Sequence, residues 1–456
     1  MIIHEKDNVE VNIENGHKYA IKPIEKGQTV IKYGNPIGYA TENIEAGAWV
    51  HTHNMTTTLN EKSVYQYAPF KQAPIAPNEK ITFTGYLRSN GDVGIRNEVW
   101  IIVTVGCVNK IAEQIAARTG AYAYTHPYGC SQLGDDHTIT QKILCGLVNH
   151  PNCAAALVLG LGCENDNIAE FKKALGSYDP QRVKFLNCQD ADDEIQEGIR
   201  MVEELTAYAN TFTPKEVPIH KLRVGLKCGG SDGYSGITAN PMVGRFCDKL
   251  VSLGGACVLT EVPEMFGAEH LLMQRCKNRE IFNNTVAMIN DFKDYYKRNG
   301  QPIYENPSPG NKEGGITTLE EKSLGCVQKA GSAMVTDVLN YGDTVKEPGL
   351  SLLNGPGNDL VAVTNLTAAG VHMILFTTGR GTPLGAPVPT VKISTNRTLS
   401  TKKPQWIDYD AAPLTEGISL DNDFFSYVLE VASGKETKNE IHNYREISIF
   451  KDGVTL

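Results

Sequence analysis

The chain has 456 residues, 41% hydrophobic and 21% charged, the balance of a folded protein too long for a single hydrophobic core. A net charge of -9 with no basic tract argues against nucleic acid as a partner, and no apolar run approaches the ~18 residues that would span a bilayer. The charged start MIIHEKDNVE is unlike a signal peptide, and the eleven cysteines are scattered with no C-x-x-C spacing, so a cytoplasmic protein without a disulfide framework or zinc ribbon is expected.

The first sixty-odd residues read as short strands joined by turns (GHKYAIKPI, TVIKYG, PIGYATENI, AWVHTHN), a small all-β unit over residues 1–68. A Pro-rich polar stretch follows as a linker at 69–80. The pattern then changes. EVWIIVTVGCV is a β-branched run suited to a buried parallel strand, and NKIAEQIAARTG places Ile111 and Ile115 on one helical face before a terminating glycine. TITQKILCGLVNHP, CAAALVLGLGC and DADDEIQEGIRMVEELTAYAN continue as helix, strand and helix, which predicts an α/β domain with a mostly parallel sheet over 81–216. A second α/β domain over 217–456 restarts with the strand LRVGLKC and includes GVHMILFTT and the long loop GQPIYENPSPGNKEGG.

Several stretches carry groups suited to chemistry. If VHTHN is a strand, His51 and His53 share a face and can share an ion; an exposed pair on an edge strand fits the same residues. His17 is a candidate third ligand. In THPYGCSQLGDDH, Asp135 or Asp136 either caps a helix starting near Thr138 or belongs to a site where His126 and His137 transfer protons. Cys130 there is a soft metal ligand or a small hydrophobe. GLGCEND sets Cys163 and Glu164 at a strand end, without the third glycine of a dinucleotide fingerprint.

In LKCGGSDGYSGITANP, the amides around Gly229 and Gly230 can converge on an oxyanion, with Cys228, Ser231, Asp232 and Asn240 nearby. Glu261 and Glu264 flank a proline and suit either a helix start or acid/base work. A capping box from Thr318 to Glu321 leaves Lys322 as the candidate of its segment. Arg380, between glycines and followed by Thr382, suits carboxylate recognition or a plain surface position. No nucleophile elbow, Walker A loop or H-E-x-x-H helix is present.

Together these stretches resemble one family. GHKYAI, IKYGNPIGYA and VHTHN are similar to the N-terminal SAF domain of the altronate/galactarate dehydratase family, and NGDVGIRNEVWIIVTVGCVN, HPYGCSQLGDDH, GLGCEN, CGGSDGYSGITANPM, TEVPEMFGAE, ENPSPGNKEGGITTLEEKSLGC and TTGRGTP resemble its body. SQLGDDH, HTHN and the closing IFKDGVTL are closer to the altronate-acting branch. The resemblance implies a soluble hydro-lyase that converts D-altronate to 2-dehydro-3-deoxy-D-gluconate in hexuronate breakdown, with iron(II) or manganese(II).

Such a reaction removes the C2 proton beside a carboxylate and expels the C3 hydroxyl. The expected assignment gives the ion to His51 and His53 with His17, and acid/base work to His126 and His137, with Asp135 or Asp136 orienting a ring or ligating the ion. Cys228 to Asn240, Lys322, Arg380 and Thr382 are expected at the sugar acid. Cys130, Cys163 and Cys228 leave an iron-sulfur cluster as the other cofactor. A galactarate-type dehydratase, a sulfolactate sulfo-lyase and a non-catalytic sugar-acid sensor are the competing functions, and a homo-oligomer is compatible with all of them.

Overall fold

The computed structural model describes residues 1–59, 65–69 and 80–453. The linker expected at 69–80 therefore falls outside the described residues except at its ends. None of the described helices is long and apolar enough to cross a membrane.

Six short strands form the N-terminal unit as two three-stranded antiparallel sheets. Val9–Val11, Lys18–Ala20 and Trp49–Val50 make one, and Thr29–Lys32, Asn35–Ala40 and Met55–Thr56 the other. Alternation buries Val9, Val11, Val30, Ile37 and Val50 between them, each side chain worth roughly 1.5–3 kcal/mol when removed from water. VHTHN departs from its predicted strand. The strand stops at Val50, and Asn54 and Met55 both donate to the His51 carbonyl, closing a turn over residues 51–54.

The central domain is a four-stranded parallel sheet of β1 (Glu98–Val103), β2 (Tyr122–Tyr124), β3 (Cys153–Gly160) and β4 (Val183–Asn187), in the order β2-β1-β3-β4. Its helices are α1 (Asn109–Thr119), α2 (Gly134–Val148), α3 (Ile168–Leu175) and α4 (Glu194–Ala209). β3 is buried at all eight positions, the mark of a strand covered on both faces. α1 ends where Gly120 takes a left-handed conformation, and α4 starts where Asp193 accepts from the Gln196 amide. The chain enters this domain through Thr82–Leu87 and leaves through Lys215–Pro218, which pair antiparallel.

The C-terminal domain carries a seven-stranded parallel sheet: β5 (Arg223–Cys228), β6 (Ala256–Leu259), β7 (Val335–Leu339), β8 (Gly349–Leu353), β9 (Met373–Thr378), β10 (Thr390–Ser394) and β11 (Tyr409–Asp410). The order is β7-β8-β6-β5-β9-β10-β11. Around it pack α5 (Ala239–Ser252), α6 (Arg279–Arg298), α7 (Leu319–Cys326), α8 (Asp359–Ala368) and α9 (Asp421–Ala432). Fold class is thus as expected: an α/β body in two parts and a small β-rich head.

One buried ion cluster fastens the head to the body. Lys18 and Lys32 each place Nζ 2.8 Å from a Glu321 oxygen, and all three side chains are at most 2% exposed. Glu321 also accepts from the amide and hydroxyl of Thr317. Only half of the expected capping box forms: Thr318 accepts from the Glu321 amide, while the Glu321 carboxylate turns to the two lysines. Next to it, Glu320 accepts from Thr57 and from the amide and hydroxyl of Thr58.

Burial opposes ionisation of Glu321, but the paired ammonium groups of Lys18 and Lys32 hold it well below the usual carboxylate range. Its stabilisation is therefore complete above the unfolded-state value near ~4.3 and is lost as pH falls toward the depressed folded value. Glu321→Gln leaves two buried cations uncompensated and is expected to destabilise the protein by about 3–5 kcal/mol, read as a lower urea midpoint at neutral pH. The wild type should lose stability below about pH 4.3 more steeply than the variant. Equal midpoints and equal acid limbs would show that the cluster does not hold the head.

Candidate active site

From β5 the chain crosses to β6 on one side and later returns as β9 on the other, so the loops after β5 and β9 border the crevice where open α/β sheets bind ligands. The two loops are stitched together: the Gly229 amide donates to Thr377, and the Gly379 and Arg380 amides both donate to the Gly230 carbonyl, each at 3.0 Å. Gly233 is required because the head approaches here; a Cβ on it would lie 1.8 Å from the Gly16 carbonyl oxygen.

Beside this crevice lies a cavity of about 590 Å³ lined by Gly229, Gly230, Glu264, Asn311, Lys322 and Asp359, with a wall of Phe292, Tyr295 and Tyr296. That volume suits a small organic acid. Lys322 places Nζ 2.9 Å from Glu264, 2.9 Å from Asn306 Oδ1 and 3.1 Å from Asn311 Oδ1. Burial works against its charge, but Glu264 keeps Lys322 protonated beyond the ordinary lysine range. Burial also opposes ionisation of Glu264, which Lys322, Lys227 and Lys329 nonetheless hold well below the usual carboxylate range.

Beneath the cavity the network continues. Lys227 bonds to Glu261 and reaches Asp359 Oδ1 at 2.8 Å; Lys329 lies 3.2 Å from Glu261 and 2.7 Å from Cys228 Sγ. Cys228 and Cys326 have their sulfurs 3.3 Å apart, and Glu264 Oε2 is 3.3 Å from the first and 3.1 Å from the second. Among the described residues these three form the set of donors compact enough for a single ion. Three ammonium groups already balance the carboxylates there, and Lys329 occupies Cys228, so a dication has little to gain in this place. Glu261 sits at φ +73°, which turns its carboxylate onto Lys227, Lys329 and the Cys228 amide.

Other expected residues of the β5 and β9 loops do structural work. Asp232 is buried and accepts from Thr395, Asn396, Ser235 and the Tyr234 amide, so it rivets its loop. Asn240 donates to the Gly325 carbonyl at 3.0 Å and accepts from Thr377 at 2.6 Å. Thr382 accepts from the Leu384 amide within its own turn. Arg380 is half-exposed and paired with Glu313 at 2.8 Å. Ser231 is buried; its carbonyl accepts from Asn311, while its hydroxyl has no partner among the described residues.

The histidines separate. His17 and His51 are neighbours, ring centres 5.9 Å apart, against the 312–315 segment of the body; His51 Nε2 is 2.9 Å from the Lys312 carbonyl. His53 is exposed and packs on Trp49 at 5.0 Å, because the turn at 51–54 removes the shared face that a strand would have given. Burial, first, pulls both His17 and His51 below the ordinary histidine value, which keeps them neutral, the form that ligates a metal. His17 Nδ1 is buried and without a partner among the described residues.

In the segment THPYGCSQLGDDH the residues expected as acid and base have separate surroundings. His126 is buried with Nε2 2.9 Å from the Val103 carbonyl, and its Nδ1 accepts from the Tyr128 amide at 3.1 Å. Burial pulls it down to about 4, so it is neutral and fully engaged. α2 begins at Gly134, four residues earlier than expected, which puts Asp135, Asp136 and His137 in its first turn and leaves neither aspartate as the cap. Asp135 is exposed; Asp136 is buried and accepts from the amides of Asp452 and Gly453, anchoring the C-terminal segment. His137 Nε2 lies 3.6 Å from Asp166, a buried carboxyl that desolvation raises to about 7. Cys130 and Cys163 are exposed in this domain, apart from both histidine pair and cavity, and Glu164 is buried, accepting from Thr104 and the Leu161 and Gly162 amides.

Sequence reasoning missed Lys227, Lys329, Cys326 and Asp359. A signal for the first was present: a lysine inside the apolar strand LRVGLKC must be buried and therefore paired.

Fold and site define an α/β protein with a docked β-rich head and, in its body, a cavity built from a carboxylate–lysine network at a sheet crossover. The models that match it are the altronate/galactarate dehydratase SAF domain at residues 2–58, the D-galactarate dehydratase/altronate hydrolase second domain at 85–210, and the D-galactarate/altronate dehydratase C-terminal domain at 219–455. The chain belongs to the D-galactarate/altronate dehydratase family. It is 53% identical to an altronate dehydratase of Escherichia coli (strain K12) and 51% identical to one of Bacillus subtilis (strain 168), each over 98% of this chain and 93% of the relative. A galactarate dehydratase (L-threo-forming) of Escherichia coli (strain K12) is 31% identical over 93% of this chain and 87% of its own length.

His126→Ala removes two backbone partners and is expected to cost about 1–3 kcal/mol in thermal or urea unfolding, with turnover per folded molecule within a few-fold of wild type. A fully stable variant with turnover reduced by two or more orders of magnitude would return His126 to the chemistry.

Proposed function

We propose that the chain is a hydro-lyase that dehydrates D-altronate to 2-dehydro-3-deoxy-D-gluconate, a step of hexuronate breakdown, with iron(II) or manganese(II) as its ion. The observation that carries this reading is the identity of 53% and 51% to two altronate dehydratases across nearly the whole chain. A sugar acid brings one carboxylate and several hydroxyls. The Lys322 ammonium, held by the Asn306 and Asn311 side-chain oxygens, offers a charged donor at one wall of the cavity. Glu264, kept ionised, holds Lys322 in place until substrate shares it. Phe292, Tyr295 and Tyr296 add an aromatic surface to the same cavity.

The residues that would hold the ion are His17 and His51 of the head, neutral and adjacent, with the unpartnered Nδ1 of His17 as a free donor. When bound, the ion supplies stabilisation for the negative charge that develops on an acid losing its α-proton. The head thus contributes ligands, and the body contributes the carboxylate-binding cation; neither part is complete alone.

Supplied with iron(II) or manganese(II), the protein is expected to release 2-keto acid from D-altronate with a kcat/KM at least tenfold above that for galactarate. A chelator should abolish turnover and re-added metal restore it. His51→Ala should weaken metal binding at least tenfold by calorimetry without substrate present. Full-rate turnover by rigorously demetallated protein, or no keto acid from any aldonate, would end this reading.

A further inference from the structure

Apart from the cavity and the histidine pair, a second set of reactive groups collects at the carboxyl edge of the central sheet. In the order β2-β1-β3-β4, the chain passes from β1 outward to β2 and returns as β3 on the other side, so the crossover crevice lies between the ends of β1 and β3. Each of the three adjacent strands β2, β1 and β3 is followed by a loop with one exposed cysteine: Cys130, Cys107 and Cys163 respectively.

The loops are bound to one another. The Gly106 amide donates to the Tyr128 carbonyl at 2.9 Å, the Asp166 amide to the Gly129 carbonyl at 3.0 Å, and the Ser131 amide to Asn165 Oδ1 at 2.8 Å. The segment holding Cys130 is thereby tied on one side to the residue before Cys107 and on the other to residues just after Cys163. Gly129 makes the approach feasible: at φ +99° it presses so closely on β1's end that a Cβ would lie 1.8 Å from the Thr104 carbonyl oxygen.

Two further observations point to a ligand. Buried polar atoms in the segments after β1 and β2 have no partner among the described residues: Asn109 Oδ1, two residues after Cys107, and Gln132 Nε2, two residues after Cys130. Gln132 is 3% exposed. Second, three neighbouring loops each offer an exposed thiol, and thiolates are the ligands that hold an iron-sulfur group, its metal and sulfide atoms lying between them. The loops also lead into the N-termini of helices α1, α2 and α3, whose peptide dipoles favour an anionic group.

We propose that Cys107, Cys130 and Cys163 bind an iron-sulfur cluster of the four-iron type at the crossover of the central sheet. Three thiolates leave one iron for an oxygen ligand. The structure corrects the cysteine set expected from sequence: Cys228 lies in the C-terminal domain, and Cys107 takes its place. Cys188 is not a member, because it follows β4, the strand farthest from β2, and burial pushes its thiol up to about 12. This site is separate from the sugar-acid cavity and does not depend on that assignment.

The full chain, incubated anaerobically with iron salts, sulfide and a thiol reductant and then desalted, should retain about four iron and four acid-labile sulfide per chain with visible charge-transfer absorbance. Cys107→Ser, Cys130→Ser and Cys163→Ser should each lose most of the retained sulfide, whereas Cys188→Ser and Cys228→Ser keep it. In wild type, alkylation mapped by mass spectrometry should show Cys107, Cys130 and Cys163 labelled before loading and protected after it, a readout that needs no variant to fold. No retained sulfide in the wild type, equal retention by the three serine variants, or unchanged alkylation after loading would overturn the proposal. None of these readouts uses altronate, so they stand apart from the dehydratase reading.

Discussion

Glu321 between Lys18 and Lys32 is the contact on which the architecture turns. Three charges removed from water are favourable only if they meet one another with every oxygen satisfied, and here the carboxylate has two ammoniums and two donors from Thr317. The partners come from strands of the head and from α7 of the body, residues about three hundred positions apart. Such a cluster is poor as a source of raw stability compared with apolar packing, but it admits one docking geometry. A small β unit with few buried side chains thereby acquires a fixed seat, and His17 and His51 are held against the 312–315 segment.

A second buried network sits next door. Asp359, Lys227, Glu261 and Lys329 form one chain of ion pairs at the end of β5, and Glu264 and Lys322 pair beside it at the cavity wall. Its members impose each other's protonation states: Lys322 stays charged because Glu264 does, and Glu264 because three lysines surround it. The consequence is a cation held at a fixed position in the cavity wall. The head and the network meet through α7, which carries Glu321 and Lys322 as consecutive residues. One side chain faces the head and the other faces the cavity, so docking and the placement of Lys322 are set by the same turn of helix.

Both parallel sheets use the same device. Where the strand order reverses, two loops part and their backbone amides and side chains are left facing a crevice. In the C-terminal sheet that crevice borders the carboxylate–lysine cavity; in the central sheet it carries thiols. The body of this chain thus has two sheet crossovers, with different side chains at each.

Much of this was legible in the chain itself. The β-branched runs of β1, β3, β5 and β9, the terminating Gly120 and the short strands of the head follow from local pattern, because burial on both faces and a 3.6-residue period are written in neighbouring residues. The motif set identified the family. Tertiary structure decided the rest. Whether His51 and His53 share a face depended on one turn at residues 51–54; whether His126 is a catalyst or a brace depended on the Val103 carbonyl and the Tyr128 amide that meet it. Asp136 serves the C-terminal segment, Asp232 serves its own loop, and Glu321 serves two lysines of the head instead of its helix cap. A polar side chain announces only that it needs a partner. Which partner it finds is fixed when segments far apart in the chain are packed together, and no local pattern carries that information.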